Sequence, residues 1–249
     1  MGVKHMAETF VAILTAHLMG DFIFQTEGMI KRKREWSIFL LHIVIVTITT
    51  YLLIGSFHWP ILAAILLTHF IIDVAKVYWM KDSCLSFVID QGSHLIVLIG
   101  LALLFTGVPD SGWWATAFGN EHIEWYYASL SILSGLILTL KVGGILIGKF
   151  TAPFREEIEE GMEGLKNGGL YIGYLERILV MILLLTDITM GIGFLFASKS
   201  ILRIGEIKDT GQRKVAEYII IGTFFSFVWA ISISVLTLKA INNWLPEAL

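Results

Sequence analysis

HLMGDFIFQT, residues 17–26, sets an imidazole and a carboxylate into an otherwise apolar run. His17 and Asp21 are one helical turn apart and share a face. Both groups are costly in hydrocarbon. Such a pair persists there only with partners, and the rest of the chain offers them.

The setting is a membrane. Of 249 residues, 56% are hydrophobic and only 16% charged, with mean hydropathy +0.76. A soluble domain carries about 25% charged residues. Apolar runs at about 8–26, 37–55, 59–79, 86–106 and 126–148 each read as a helix of spanning length. Apolar sequence resumes at about 172–204 and 215–240. The run 172–204 is long for one crossing and is interrupted near TDITMGIG (186–193), so it reads as one tilted helix or as two half-helices. The expected fold is all-α, a polytopic bundle with six to eight membrane segments. Residues 1–106 form a four-helix bundle. Residues 107–249 supply an extracytoplasmic loop, further transmembrane helices and a cytoplasmic-side amphipathic segment within 151–168.

Several classes are excluded early. A net charge of −3 argues against nucleic acid as a partner, and the single cysteine, Cys84, rules out an intrachain disulfide. The first apolar run contains His17 and Asp21 with no small-residue cleavage site before the charged loop, so it is not read as a signal peptide. Lys and Arg concentrate on cytoplasmic loops. KRKRE (31–35) and MKDSC (80–84) therefore face the cytoplasm, the N-terminus is outside, and the chain belongs in a bacterial cytoplasmic membrane. The loop 107–125 has no Lys or Arg and falls outside.

The motif of the first helix recurs. HFIID (69–73) repeats H-x-x-x-D, and DQGSH (90–94) is its mirror image. The first and third helices run the same way and the fourth runs back. Reversed order on an antiparallel helix restores the same order in space. The three pairs His17/Asp21, His69/Asp73 and Asp90/His94 can thus stack as an Asp layer nearer the cytoplasm and a His layer deeper. Each Asp lies roughly 5–9 Å inside the cytoplasmic edge at about 1.5 Å per residue. His42, about five residues into the second helix, reaches a similar depth.

Seven potential metal ligands on four helices therefore converge: His17, Asp21, His42, His69, Asp73, Asp90 and His94. Mixed imidazole and carboxylate ligation suits a divalent transition metal, Zn first, with Mn or Fe also compatible. Seven ligands fit two ions, or one ion and a general base. A proton relay or internal ion pairs would use the same residues without metal. Asp21, Asp73 and Asp90 are the candidate catalytic carboxylates. Gln25 continues the stripe of His17 and Asp21 and is a candidate for substrate contact. Lys76, Lys199 and Arg203 are candidates to take the anionic part of a substrate, although snorkelling and positive-inside anchoring also account for the cations. Glu176 and Arg177 read as structural pairing between helices, and His5, His58 and His122 as surface residues.

The pattern H-x-x-[GA]-D-F-x-x-Q-[TP], an isolated His, H-x-x-x-D-x-x-K and D-Q-x-x-H resembles a family of small bacterial membrane proteins known only as a domain of unknown function. Here its elements are HLMGDFIFQT, His42, HFIIDVAK and DQGSH, within about residues 10–105. More distantly, the His/Asp pattern is similar to membrane-bound metal-dependent hydrolases, which implies hydrolysis by analogy alone. The leading expectation is a membrane-embedded metal-dependent hydrolase acting on a lipid or a membrane-associated phosphoester. The alternatives are a cation transporter or ion-conducting protein, and a non-catalytic sensor or scaffold with a structural metal.

Overall fold

The computed structural model describes residues 2–119, 122–158, 167–204 and 210–246, with side chains described throughout except at 200–204 and 210–212. Every regular element among them is helical, and seven helices are long and apolar enough to cross a membrane. This is an all-α integral membrane protein. Much of the acidic stretch expected to lie at the membrane surface, 159–166, falls outside the described residues.

The chain divides into two compact units, residues 1–137 with 243–246, and residues 138–242 with 247–249. In the first unit, α1 (Gly2–Met19) runs into a π-helical turn, Gly20–Phe24, where a plain α-helix to about residue 26 was expected. Thr26 caps the short α2 (Glu27–Lys31) by accepting a hydrogen bond from Met29 N at 3.3 Å. Three spanning helices follow, α3 (Trp36–Ile54), α4 (Trp59–Trp79) and α5 (Cys84–Leu104). Gly55, at φ 69°, ends α3 in the left-handed conformation that glycine adopts without strain. Pro60 sits in the first turn of α4, where its missing N–H costs no helical bond. A Ser83/Ser86 capping box starts α5. The short α6 (Trp113–Phe118) and then α7 (Ile123–Ile137) complete the unit.

Helix α1 packs against α3, α5 and α7, and α4 closes the circuit between α3 and α5. The apolar core gathers Ala12, Ile13, Val46, Ile61, Ile65, Leu98 and Tyr127. Outward, Leu40, Val44, Ile48, Leu67, Ile71, Ile96 and Leu103 are exposed, as lipid-facing side chains are. Trp114 is drawn inward instead, donating from Nε1 to Leu52 O at 2.7 Å and stacking on Tyr126.

The second unit begins with another π-helical turn, Leu138–Val142, followed by α8 (Gly143–Glu156). A π turn releases carbonyls from the ordinary ladder, and side chains take them up. Trp229 Nε1 donates to Leu138 O at 2.9 Å, and Arg177 donates to Thr139 O at 2.8 Å and Leu140 O at 3.4 Å. The run 172–204 is broken at 186–189, where Asp187 takes φ 58°. It gives α9 (Gly168–Leu185), of spanning length by itself, and the shorter α10 (Met190–Ile204). The two-helix reading is thus the one found, although α9 is more than a half-helix. The last helix, α11, is Thr210–Trp244.

The glycine of HLMGD has a packing role. A Cβ on Gly20 would lie 2.6 Å from Val46 Cγ2 and 3.4 Å from Val46 Cα on α3. Gly20→Ala is expected to push α1 from α3 and to lower stability by about 1–3 kcal/mol, the usual cost of overpacking. Thermal unfolding of the purified variant in detergent checks this; an unchanged midpoint would show that α3 yields freely.

Candidate metal centre

All seven histidines and aspartates of the sequence pattern meet inside the first unit, and their side chains are buried. One cluster of approaches surrounds Asp21 Oδ1. His42 Nε2 lies 3.5 Å from it, His69 Nε2 lies 3.4 Å from it, and the two nitrogens are 3.1 Å apart. Ligand atoms about 2.0–2.1 Å from a common ion sit about 3.3 Å apart in tetrahedral geometry. The Asp21/His42/His69 triangle matches that spacing. Asp73 Oδ2 stands beside it, 3.3 Å from His42 Nε2 and 3.8 Å from His69 Nε2.

A second group with no member in common, Asp73, Asp90 and His94, has its ligand atoms within 4.8 Å of one another. The same limit holds for His17, His69 and His94. The three imidazoles form a tight set, with ring centroids 4.7 Å apart for His17 and His94 and 4.4 Å for His69 and His94.

Tautomers follow from the partners. A carbonyl only accepts, so the 3.0 Å contact between His94 Nδ1 and Asp90 O places the proton on Nδ1. His94 Nε2 then carries a bare lone pair, and it is buried without a hydrogen-bond partner. A backbone carbonyl fixing one ring nitrogen so that the other can ligate is the usual arrangement around metal-binding histidines. Asp21 Oδ1 and Asp90 Oδ1 are also enclosed without hydrogen bonds. Buried acceptors of this kind are costly unless something electropositive reaches them. The donor set therefore fits a divalent cation.

Two further residues approach the centre and were not among the candidate site residues read from sequence. Gln91 joins the layers: His17 Nε2 donates to its Oε1 at 3.3 Å, and its Nε2 donates to Asp90 Oδ2 at 3.2 Å and Asp21 Oδ2 at 3.4 Å. Lys33, from the basic loop, places Nζ 2.9 Å from Asp73 Oδ2 with its side chain only 17% exposed. Asp73 Oδ2 makes no aligned hydrogen bond, so this is an ion pair by proximity rather than a directed bond. Lys76 lies 4.0 Å from Asp90 Oδ2 and donates to Ser86 Oγ at 3.4 Å. Both lysines approach the carboxylates, Lys33 from the 25–35 loop and Lys76 from α4.

Beyond the His layer lies a cavity of about 10 Å³, lined by His17, His69, His94, Val46, Ile65 and Leu98 among others. That is room for about one water.

The remaining candidates are placed differently. Gln25 is half-buried, with its amide nitrogen lacking a hydrogen-bond partner. Lys199 lies in the second unit, where it pairs with Glu176 at 2.7 Å. That pair, together with Arg177 on the π-turn carbonyls, is the structural pairing expected for Glu176 and Arg177. The side chain of Arg203 lies outside the described residues.

Residues 9–121 match the model of a family described as a protein of unknown function, DUF3307. The matched stretch contains all seven buried histidines and aspartates together with Lys33 and Gln91. No curated protein and no solved structure matches the chain.

Gln91 provides a direct check of this geometry. Gln91→Leu leaves His17 Nε2, Asp21 Oδ2 and Asp90 Oδ2 without their common partner. A loss of roughly 1–3 kcal/mol in stability is expected from stranded buried polar groups, read as a lower thermal midpoint. No change would mean that the amide is not the link between the layers.

Proposed function

We propose that the centre is hydrolytic, and that the protein is a membrane-embedded metal-dependent hydrolase acting on a lipid or other membrane-associated phosphoester. The observation that carries this reading is a buried His/Asp centre whose carboxylates are approached by two lysines, Lys33 from the basic loop and Lys76 from α4. Transport needs a continuous polar path to both faces, and the cavity beside the imidazoles has room for about one water. The positive-inside pattern supports placing the carboxylate side at the cytoplasmic face of a bacterial membrane, with the N-terminus outside.

The separate triads Asp21/His42/His69 and Asp73/Asp90/His94 favour two ions, most readily Zn, with Mn or Fe compatible. Bound there, divalent ions supply Lewis acidity toward water and the phosphoryl oxygens. The chain supplies the rest. His17, held by Gln91, and His94, held by its backbone contact, keep their rings in fixed tautomers. Asp21 and Asp73 compensate cationic charge. The Asp90 carboxylate has no contact to an imidazole closer than 3.8 Å and turns Oδ2 toward Gln91 and Lys76. We assign it the proton given up as water bonds to phosphorus; the bond to the leaving oxygen breaks, and that oxygen takes the proton back. Lys33 and Lys76 are positioned to steady the anionic phosphoester at the mouth. A substrate-binding role for Lys199 receives no support from its pairing with Glu176.

Elemental analysis of purified protein is expected to find stoichiometric transition metal, and the double change His69→Ala with Asp73→Ala is expected to remove it. Asp90→Asn keeps size and hydrogen-bonding capacity but removes the base. It should fold, retain at least part of the metal, and lose hydrolysis of a phosphoester found by screening a lipid panel by about 100-fold or more. Cation flux in proteoliposomes with no hydrolysis by the parent would replace this reading with the transporter. A lower thermal midpoint in Asp90→Asn, with neither activity in the parent, would leave a structural metal.

A further inference from the structure

The N-terminal end of the same bundle gathers a second polar cluster, remote from the first. Glu8 precedes His17 by nine residues, roughly 13 Å along α1. His5 and Glu8 share a face of α1. The 3₁₀ turn Val108–Ser111 adds Asp110, and α7 adds Tyr127. His5 Nδ1 lies 2.8 Å from Glu8 Oε2 and 3.1 Å from Asp110 Oδ2. Tyr127 Oη donates to Asp110 Oδ1 at 2.7 Å. The backbone is fitted to this arrangement. Gly107 N donates to His5 O at 2.8 Å, and Val108 N donates to Thr9 Oγ1 at 3.2 Å. Gly107 takes φ 69°, and a Cβ there would sit 3.4 Å from both Asp110 Oδ2 and His5 Nδ1.

Charge does not balance within this set. Glu8 is only 4% exposed, yet it faces a second carboxylate. The nearby Lys4 pairs with Glu124 at 2.6 Å. A single Nδ1–H cannot serve both carboxylates fully, and even an imidazolium leaves one negative charge over. A neutral imidazole with two carboxylates carries −2, which a divalent cation cancels.

We propose that His5, Glu8 and Asp110 form a second divalent cation site, of the Zn²⁺ or Mn²⁺ class, at this end of the bundle. Their three ligand atoms lie within 4.8 Å of one another. One nitrogen and two carboxylate oxygens suit borderline divalent ions. The His5 and Asp110 side chains are 46% and 35% exposed, so an ion enters from water without passing the buried centre, and water completes its shell. Tyr127 holds the oxygen of Asp110 that does not ligate, the orienting role usual behind a metal-bound carboxylate. The competing occupant is a proton shared by the two carboxylates.

The test titrates Mn²⁺ alone into the purified full-length protein and reads free ion by electron paramagnetic resonance. It compares the parent, a variant with Asp90→Asn and His94→Ala together, and both of these carrying His5→Ala or Asp110→Asn. The half-exposed positions are chosen because the buried Glu8 is the harder one to change without unfolding. The expected result is one equivalent of Mn²⁺ that survives the Asp90/His94 changes and weakens by more than about tenfold with His5→Ala or Asp110→Asn. If the Asp90/His94 variant does not fold, the same loss of one equivalent is read in the parent background. Isotherms unmoved by both His5→Ala and Asp110→Asn overturn the site and leave a protonated hydrogen-bond network. Loss of all Mn²⁺ binding with the Asp90/His94 changes alone also overturns it, while leaving the buried centre as the metal site.

Discussion

Three carboxylates at one buried level govern the first unit. Asp21, Asp73 and Asp90 are removed from water inside a bundle whose outer faces are apolar. Each carries a desolvation cost that hydrocarbon cannot offset. The surrounding structure follows from that constraint. Lys33 is brought in from a loop to Asp73, Lys76 approaches Asp90, and Gln91 reaches from one layer to the other. Asp21 has no lysine among these contacts and is met by His42 and His69. Two ammonium groups against three carboxylates leave one negative charge for the imidazoles or for bound cations. A centre whose remaining acceptors point inward, with no hydrogen bond, is suited to the second.

The second unit shows that burying an ionisable group in a membrane does not by itself make a site. Arg177 is as buried as the histidines, but its donors are matched to carbonyls that the Leu138–Val142 turn releases, and to Ser226 Oγ at 3.3 Å. Arginine and π turn satisfy each other, and Trp229 takes the carbonyl next to them. Nothing on the guanidinium calls for a ligand. The contrast lies in what remains unmatched. His94 Nε2, Asp21 Oδ1 and Asp90 Oδ1 are buried acceptors whose satisfaction the chain does not complete. That difference, rather than polarity alone, separates the candidate centre from structural pairing.

The sequence made the helices and the clustering of the seven histidines and aspartates legible because both depend on periodicity. A four-residue spacing survives into three dimensions as a shared face, and the mirrored DQGSH follows from antiparallel packing. The break at 186–189 was visible as a polar interruption. What stayed hidden depends on reach and register. Gln91 is adjacent to Asp90, and neighbouring helical residues do not face the same way; only the length of the amide side chain brings it to Asp21. Lys33 read as a topology marker because a loop position has no periodicity to fix its direction. The π turn at Gly20–Phe24 leaves no period of its own in five residues. Asp110 meets His5 and Glu8 across about a hundred residues of chain, and no local spacing announces that contact.

The proposed hydrolytic reading also bears on why such a centre sits where it does. A soluble phosphoester needs no intramembrane site, because water carries it to any surface cleft. A lipid presents its ester linkage just inside the headgroup layer, while its chains remain in hydrocarbon. On the proposed reading, a carboxylate layer a turn or two inside the membrane edge would meet that linkage without pulling the chains into water. Lys33 and Lys76, which approach those carboxylates, would then meet the phosphate oxygens of such a molecule. The imidazoles of His17, His69 and His94 line a small cavity with Val46, Ile65 and Leu98. Depth and the order of layers would thus be two aspects of one arrangement, and a substrate that is itself part of the membrane would join them most economically.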